Sequence, residues 1–414
     1  MNKTLLIIFS IFTMVKSYSQ TVIDDSVSVG PGYINQVYYS FKNGVVKTIN
    51  TNWDIAFQVS GIESSMMINS KNTNLYLVTN DTSKWSTFDT TGKISSTTIL
   101  RNSDTSWKFG AFSRNSTISS GGFNVGWGTY DPISHIITGN NIYAIKLSDG
   151  TYRKLMIEKF NKGKYFFKYA NLNGTNEIMD SLSASAFAGK NFAYYSLQTN
   201  MNLDLEPATG TWDLFFNQYQ TVLPFVGAYS VVGAFTNLKR KAIKLYTLKT
   251  TSAYNLADFK STRDVVGYDW KSFDNVTNKW SLADSTIYFV QDSAGDVYKM
   301  IFTGFGGGAN GNINFSKQKV NNLPSALFES IEQEKAFVFP SLANSAIQVS
   351  TPISKNYSIQ IYDMSGKTVF RSIEERAIES AKTISVEQFQ QGTYIVQLAI
   401  EGEKVMSNLI EVSH

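Results

Sequence analysis

With 414 residues, the chain is long enough for two or three domains, each able to bury its own core. Aromatic residues make up 14%, mostly Phe and Tyr, which favours strands, and only 17% of residues are charged, which argues against extensive disorder. The formal charge of +4 is small, and the densest basic run, Lys239, Arg240 and Lys241 with Lys244, is short and reads as a solvated strand edge, so nucleic acid is not an expected partner. There is no Cys, which removes disulfides, thiolate zinc sites and thiol catalysis together, and the only His residues are His135 and His414, too few for a His-built metal centre.

The chain opens with Lys3, an apolar run from Leu5 to Val15, and Ser17, Tyr18, Ser19. This pattern predicts a signal peptide over residues 1–19, cleaved between Ser19 and Gln20. The run is shorter than the roughly 20 apolar residues that span a bilayer, and no later segment is apolar enough for a transmembrane helix.

Val22 to Val29 reads as a loose lead-in to a turn at Gly30, Pro31 and Gly32. Tyr33 to Phe41 alternates with period two and predicts a strand, turned at Asn43-Gly44 into Val45 to Ile49. Next comes Trp53, Asp54, Ile55, Ala56, Phe57, with a near copy at Trp212, Asp213, Leu214, Phe215, Phe216. Each copy follows a Tyr-Tyr-Ser triplet, at Tyr38 to Ser40 and at Tyr194 to Ser196, which points to a duplicated unit. Trp53, Ile55 and Phe57 are expected on one strand face and Asp54 with Ala56 on the other. Asp54 and Asp213 lack a nearby acid or base partner, so they read as hydrogen-bond acceptors at a sheet edge rather than as catalysts.

Between Gly61 and Thr129 the chain is rich in Ser, Thr, Asn and Gly, with Trp85, Trp107 and Trp127 isolated among them, and long loops with ligand capacity are expected. Ile142 to Leu147, Tyr152 to Phe160 and Lys164 to Tyr169 predict three consecutive strands. The hairpin from Tyr143 through Gly150 to Lys154 and Leu155 recurs with the same spacing from Tyr288 through Gly295 to Lys299 and Met300, while the interval back to the Trp is longer in the first copy. Such insertions cost little, because loop-closure entropy grows only logarithmically. Leu182 to Phe192 reads as a short helix joining the copies. Gly304, Gly306, Gly307, Gly308 and Gly311 form a hairpin loop rather than a phosphate loop, lacking the Lys and the helix that one needs. Asn171 to Glu177 holds too few carboxylates for calcium and reads as a turn.

The fold class is therefore all-β: two tandem antiparallel β units at 20–180 and 181–320, a linker at 321–335, and a small immunoglobulin-like β-sandwich at 336–414.

That last unit resembles the type A C-terminal sorting domain of the type IX secretion system of the Bacteroidetes. Phe337 to Pro340 stand where the family opens, Ile359 to Val369 match its central hairpin, and Ile384 to Phe389 with Gly392 and Tyr394 to Val396 match its closing motif. The resemblance implies that residues 336–414 engage the type IX secretion machinery. It also implies that the chain crosses the outer membrane and loses this domain, to be released or attached to surface lipopolysaccharide. The body, residues 33–320, resembles the HmuY-like family of secreted haem-binding proteins through its Tyr-rich strand, the Trp53 to Phe57 phrase and the Gly150 to Leu155 hairpin. This second resemblance implies haem as a ligand. Haem iron takes His, Met, Cys or Tyr as axial ligands. His135, the sole His of the body, and Met66 with Met67 are the candidates, although each reads first as a structural residue.

The expectation is a secreted or surface-attached, non-catalytic protein that binds haem or another small apolar ligand; the alternative is an adhesion or glycan-interaction protein using exposed Trp and Tyr. No nucleophile, base and metal cluster can be assembled for an enzyme. Trp53, Asp54 and Phe57, with Trp212, Asp213 and Phe216, form the repeated scaffold. Ligands are expected in the loops between each Trp strand and the Gly150 or Gly295 hairpin.

Overall fold

The computed structural model describes residues 21–87, 94, 99–223, 226–246, 254–274, 276–283, 285–320, 337–339, 342–343, 345–350, 356–374, 381–401 and 405–413. The signal peptide with its Ser19–Gln20 junction and the 321–335 linker lie outside the described residues. Two compact units divide the chain, residues 1–322 and residues 323–414.

In the body, the first copy supplies β1 (Ile23–Ser28), β2 (Asn35–Ser40), β3 (Gly44–Asn50), β4 (Ile55–Gln58), β5 (Met66–Ile68), β6 (Asn74–Thr79), β7 (Ile99–Leu100), β8 (Gly128–Asp131), β9 (Ile136–Gly139), β10 (Ile142–Lys146), β11 (Tyr152–Asn161) and β12 (Lys164–Ala170). The second supplies β13 (Ile178–Ser183), β14 (Phe192–Ser196), β15 (Met201–Leu203), β16 (Leu214–Leu223), β17 (Gly227–Thr236), β18 (Lys241–Tyr246), β19 (Lys271–Asp274), β20 (Lys279–Leu282), β21 (Thr286–Gln291), β22 (Val297–Phe305) and β23 (Asn312–Val320).

The copies do not fold side by side; they exchange their first three strands. One inner sheet runs β3-β2-β16-β17 and the other β15-β14-β4-β5, so each Tyr-rich hairpin pairs with the Trp-Asp strand of the other copy. Tyr38 lies opposite Phe215, and Tyr194 opposite Ala56. The outer sheets follow the same rule: β1 joins β23 in β1-β23-β22-β21-β18, and β13 joins β12 in β13-β12-β11-β10-β6-β7. The expected loose lead-in over Val22 to Val29 is thus a strand, in register from Ile23 opposite Lys317 to Ser28 opposite Asn312. Its mostly exposed side chains, with Val27 buried, hide the pattern of an edge strand.

Among the described residues, the three largest cores of the body are layered through it, and two smaller clusters accompany them. Ile55, Phe57, Tyr143, Phe167 and Tyr195 pack in the first, and Val37, Tyr39, Phe216, Tyr288 and Phe315 in the second. Between the inner sheets lies a third, aromatic layer containing Tyr38, Trp53, Tyr194, Trp212 and Phe215. Trp53 therefore does not share a face with Ile55 and Phe57. The strand begins only at Ile55, so Trp53 precedes the alternation and joins Ala56 in the middle layer. In place of the expected helix, Leu182 to Phe192 holds the end of β13 and a 3-10 turn at Ala184–Phe187. The glycine loop contains one helical turn, Gly307–Asn310, whose closing Gly311 has φ 66° and packs against the Gly30 backbone.

The second unit is a sandwich of two sheets, formed by β24 (Phe337–Phe339), β25 (Leu342–Ala343), β26 (Ala346–Ser350), β27 (Tyr357–Asp363), β28 (Thr368–Glu374), β29 (Ala381–Ser385), β30 (Gly392–Ile400) and β31 (Met406–Val412). The sheets run β24-β26-β29 and β25-β31-β30-β27-β28, around a core containing Ile347, Ile359, Val396 and Ile410. The Asp363 to Gly366 turn closes with the Gly366 amide donating to the Asp363 carbonyl at 3.0 Å, and Gly366 takes φ 84°, as a turn glycine should.

Candidate functional site

The repeated phrases build scaffold. Asp54 Oδ2 accepts the Leu197 amide at 2.7 Å, and its counterpart Asp213 Oδ2 accepts the Phe41 amide at 3.0 Å, so each carboxylate caps the end of the exchanged Tyr strand. Burial pushes both carboxyls above the usual Asp range. Asp213 also holds Arg240, whose Nε donates to Oδ1 at 2.9 Å with both side chains buried. Arg240 is thus an internal ion-pair partner and not part of a solvated edge, whereas the equally buried Asp54 is held by donors from Ser196, Leu197 and Gln198. Trp53 and Trp212 meet the opposite copy's tyrosine edge-on, at 4.8 Å from Tyr194 and 5.0 Å from Tyr38. Phe57 and Phe216 are fully buried in the first and second cores.

Where the copies differ, the middle layer is asymmetric. The segment between β7 and β8 sends Trp107 into it, and the segment between β18 and β19 sends Arg263, which stacks on Phe235 and Trp107 with its guanidinium carbon 3.7 and 4.4 Å from the ring centroids. Beside them is a cavity of about 40 Å³ bordered by Ala56, Phe192 and Asn217. A more polar hollow of about 300 Å³ opens beside Lys71 and Lys146.

A supported row of partly exposed aromatic rings is built around the β19–β20 hairpin of the second copy. The β19–β20 hairpin places Phe273 opposite Trp280, with centroids 5.0 Å apart. Trp280 meets Phe305 edge-on at 4.9 Å, and Phe305 lies parallel to Tyr33 at 6.3 Å. Four rings thus form a continuous strip, in which Phe273 is 42% and Trp280 39% exposed. Gly307 allows the strip to close: a Cβ there would sit 2.8 Å from Trp280 Nε1. Underneath, Lys271 Nζ lies 4.7 Å from the Phe305 centroid and 4.0 Å from that of Trp270, and burial pushes its pKa down to about 7. Trp85, Trp107 and Trp127, expected in ligand-bearing loops, are buried, and Trp280 is the exposed tryptophan of the seven. Sequence reasoning did not single out Trp280, although Phe273 and Trp280 flank a turn-like Asp274 to Asn278 stretch, which was the available signal.

The candidate haem ligands are not brought together. His135 sits in the exposed turn between β8 and β9 at φ 58°, with Nδ1 2.7 Å from the Tyr130 hydroxyl. Met66 and Met67 are adjacent on β5 and point into different cores, Met66 into the first and Met67 into the middle layer. Among the described residues, no group of three His, Cys, Asp or Glu could hold a metal ion, and no helix is long and apolar enough to cross a membrane.

The sandwich of the second unit coincides with a family match: residues 337–412 match the secretion system C-terminal sorting domain. The chain is accordingly a secreted or outer cell-surface protein of all-β build, exported by type IX secretion through the machinery that this domain engages. No curated protein matches the chain. Among solved structures it is similar to the extracellular domain of a hybrid two-component system from B. thetaiotaomicron, at 9% identity and a TM-score of 0.14, over 77% of this chain and 40% of that one. This chain thus spans less than half of that protein's length, and the likeness carries no argument about fold or function.

Proposed function

We propose that the body is a non-catalytic surface binding protein whose aromatic strip of Tyr33, Phe305, Trp280 and Phe273 takes up carbohydrate. The observation that carries this reading is the partial exposure of Trp280 and Phe273 within a supported row of rings, while the other six tryptophans are buried. The C–H face of a pyranose carries partial positive charge and meets the negative face of an aromatic ring. Display at the outer surface, with lipopolysaccharide attachment after loss of the sorting domain, puts the strip where polysaccharide is met.

Affinity electrophoresis of the purified chain in gels containing cell-surface polysaccharides tests this. Retardation of the wild type and its loss in Trp280→Ala is the expected result; equal migration of the two proteins, or no retardation at all, refutes the proposal. The haem reading rests on His135 and on the Tyr-rich and Trp-Asp phrases. Those phrases lie in cores, and His135 borders neither cavity described above. Titration with haemin, read by a Soret shift that His135→Ala abolishes, would favour haem over carbohydrate.

A further inference from the structure

We propose that the cavity beside Arg263 is a binding site for a short-chain carboxylate, held by the guanidinium edge that the fold leaves open. Arg263 is 4% exposed. Its backbone is fixed on both sides: the amide donates to the Thr105 carbonyl at 3.1 Å, and the carbonyl accepts the Thr236 amide at 2.7 Å. The side chain is held by stacking, since Phe235 and Trp107 both lie against the guanidinium. Its hydrogen-bonding capacity is spent poorly, because Nη1 reaches only the Met67 sulfur at 3.5 Å and Nε has no partner.

A buried cation without an anion is costly. Among the described residues no carboxylate lies within ion-pair distance of Arg263; Asp104 and Asp264 act on it from further away, and Asp104 is already engaged by the Thr221 hydroxyl. Tyr219 and Tyr194 also face it as neutral hydroxyls, and burial pushes the guanidinium down to about 10, so it stays charged at neutral pH.

The cavity selects by size and shape. At about 40 Å³ it exceeds the roughly 10–15 Å³ that one water needs and suits a group of about three heavy atoms. A planar carboxylate matches the free edge of an arginine, whereas a tetrahedral phosphate is larger and badly shaped for a slot walled by Phe192, Phe235 and Trp107. Carbohydrate on the outer strip and a carboxylate here are independent of each other.

Thermal unfolding of the full chain in sodium formate, acetate or phosphate, against chloride at equal ionic strength, tests the site. Formate or acetate is expected to raise the wild-type Tm by about 2–4 °C at saturation, with phosphate inert. Arg263→Lys, which keeps the charge and loses the planar fork, should abolish the rise. If that variant does not fold, Ala56→Val, which narrows the cavity and leaves Arg263 intact, should abolish it instead. No carboxylate-specific rise in the wild type, or an equal rise in the folded variant, overturns the proposal.

Discussion

The hydroxyls of Tyr38 and Tyr194 hydrogen-bond to each other at 2.6 Å, although the two residues are counterparts in the two copies. A residue that meets its own duplicate marks a pseudo-two-fold axis through the middle layer. The axis is broken two residues along the strand: Trp53 Nε1 donates to Gln36 Oε1 at 2.9 Å, but Phe192 stands in the place of Gln36 and Trp212 Nε1 has no partner.

Tyr38→Phe or Tyr194→Phe leaves one buried hydroxyl unpartnered and should cost about 1–3 kcal/mol, while the double variant should cost less than the sum of the two. Urea unfolding of the four proteins measures the coupling. Strictly additive losses would contradict a direct bond.

The two Asp caps should respond differently to loss of charge. Arg240→Ala strands a buried Asp213 and should cost about 3–5 kcal/mol, largely recovered by adding Asp213→Asn. Asp54→Asn, which removes no ion pair, should cost about 1–2 kcal/mol. Chemical denaturation of the three variants ranks them, and an Arg240→Ala loss below that of Asp54→Asn would remove the distinction.

Stability should also have a pH signature. Burial raises the Glu206 carboxyl to about 8, so the folded state holds a proton that the unfolded chain loses from 4.5 upward, and stability should fall as pH rises from about 5 to about 8. Lys271 works in the opposite sense: its folded value of about 7 lies below 10.5, so stability should recover between these values, and the two effects oppose each other from 7 to 8. The limiting slope for either group is about 1.4 kcal/mol per pH unit. Asp54 and Asp213, also raised by burial, act in the same sense, so the Glu206 share is read by comparing wild type with Glu206→Gln at pH 5.5 and 6.5: the variant should flatten that interval, and an unchanged slope assigns it elsewhere.

Close backbone approach should make Gly139 irreplaceable. A Cβ there would lie 1.7 Å from the Ile157 carbonyl oxygen, which sheet pairing holds in place. Gly139→Ala should cost roughly 1–3 kcal/mol, whereas Gly210→Ala, with open space around it, should stay within about 0.5 kcal/mol. Comparing the two melting temperatures checks this, and a neutral Gly139→Ala would contradict it.

Much of the architecture could be read from local signals. The hairpin turns at Asn43-Gly44 and Gly150, the three strands from Ile142 to Ala170 and the strands of the sorting domain lie close to where alternation and turn residues put them. The duplication was visible in Trp53 and Trp212. Which Tyr strand pairs with which Trp strand was not, because pairing partners share the same local pattern and only the packed layers decide between them. Arg240 and Arg263 were hidden for a related reason: a charged residue in a polar context looks solvated until Asp213 or Trp107 is folded over it. Of the candidate strip, Phe273 and Trp280 lie in the stretch between the second Trp strand and the Gly295 hairpin whereas Tyr33 and Phe305 lie outside it, and what separates Trp280 from the six buried tryptophans is exposure, a tertiary property.

The exchange of opening strands also sets an order of events. Ile23 pairs with Lys317, so the outer sheet of the second core is not complete until almost the entire body has been synthesised, and its inner sheet waits for β16 and β17. This is a high-contact-order topology in which β1 and the open β2 edge of the β2–β3 hairpin wait for distant partners, the state most open to misassociation. The arrangement is that of a strand-swapped dimer whose two chains have become one. A first copy made alone carries both sides of every exchanged contact, and its route to a closed structure is to pair with another molecule of itself.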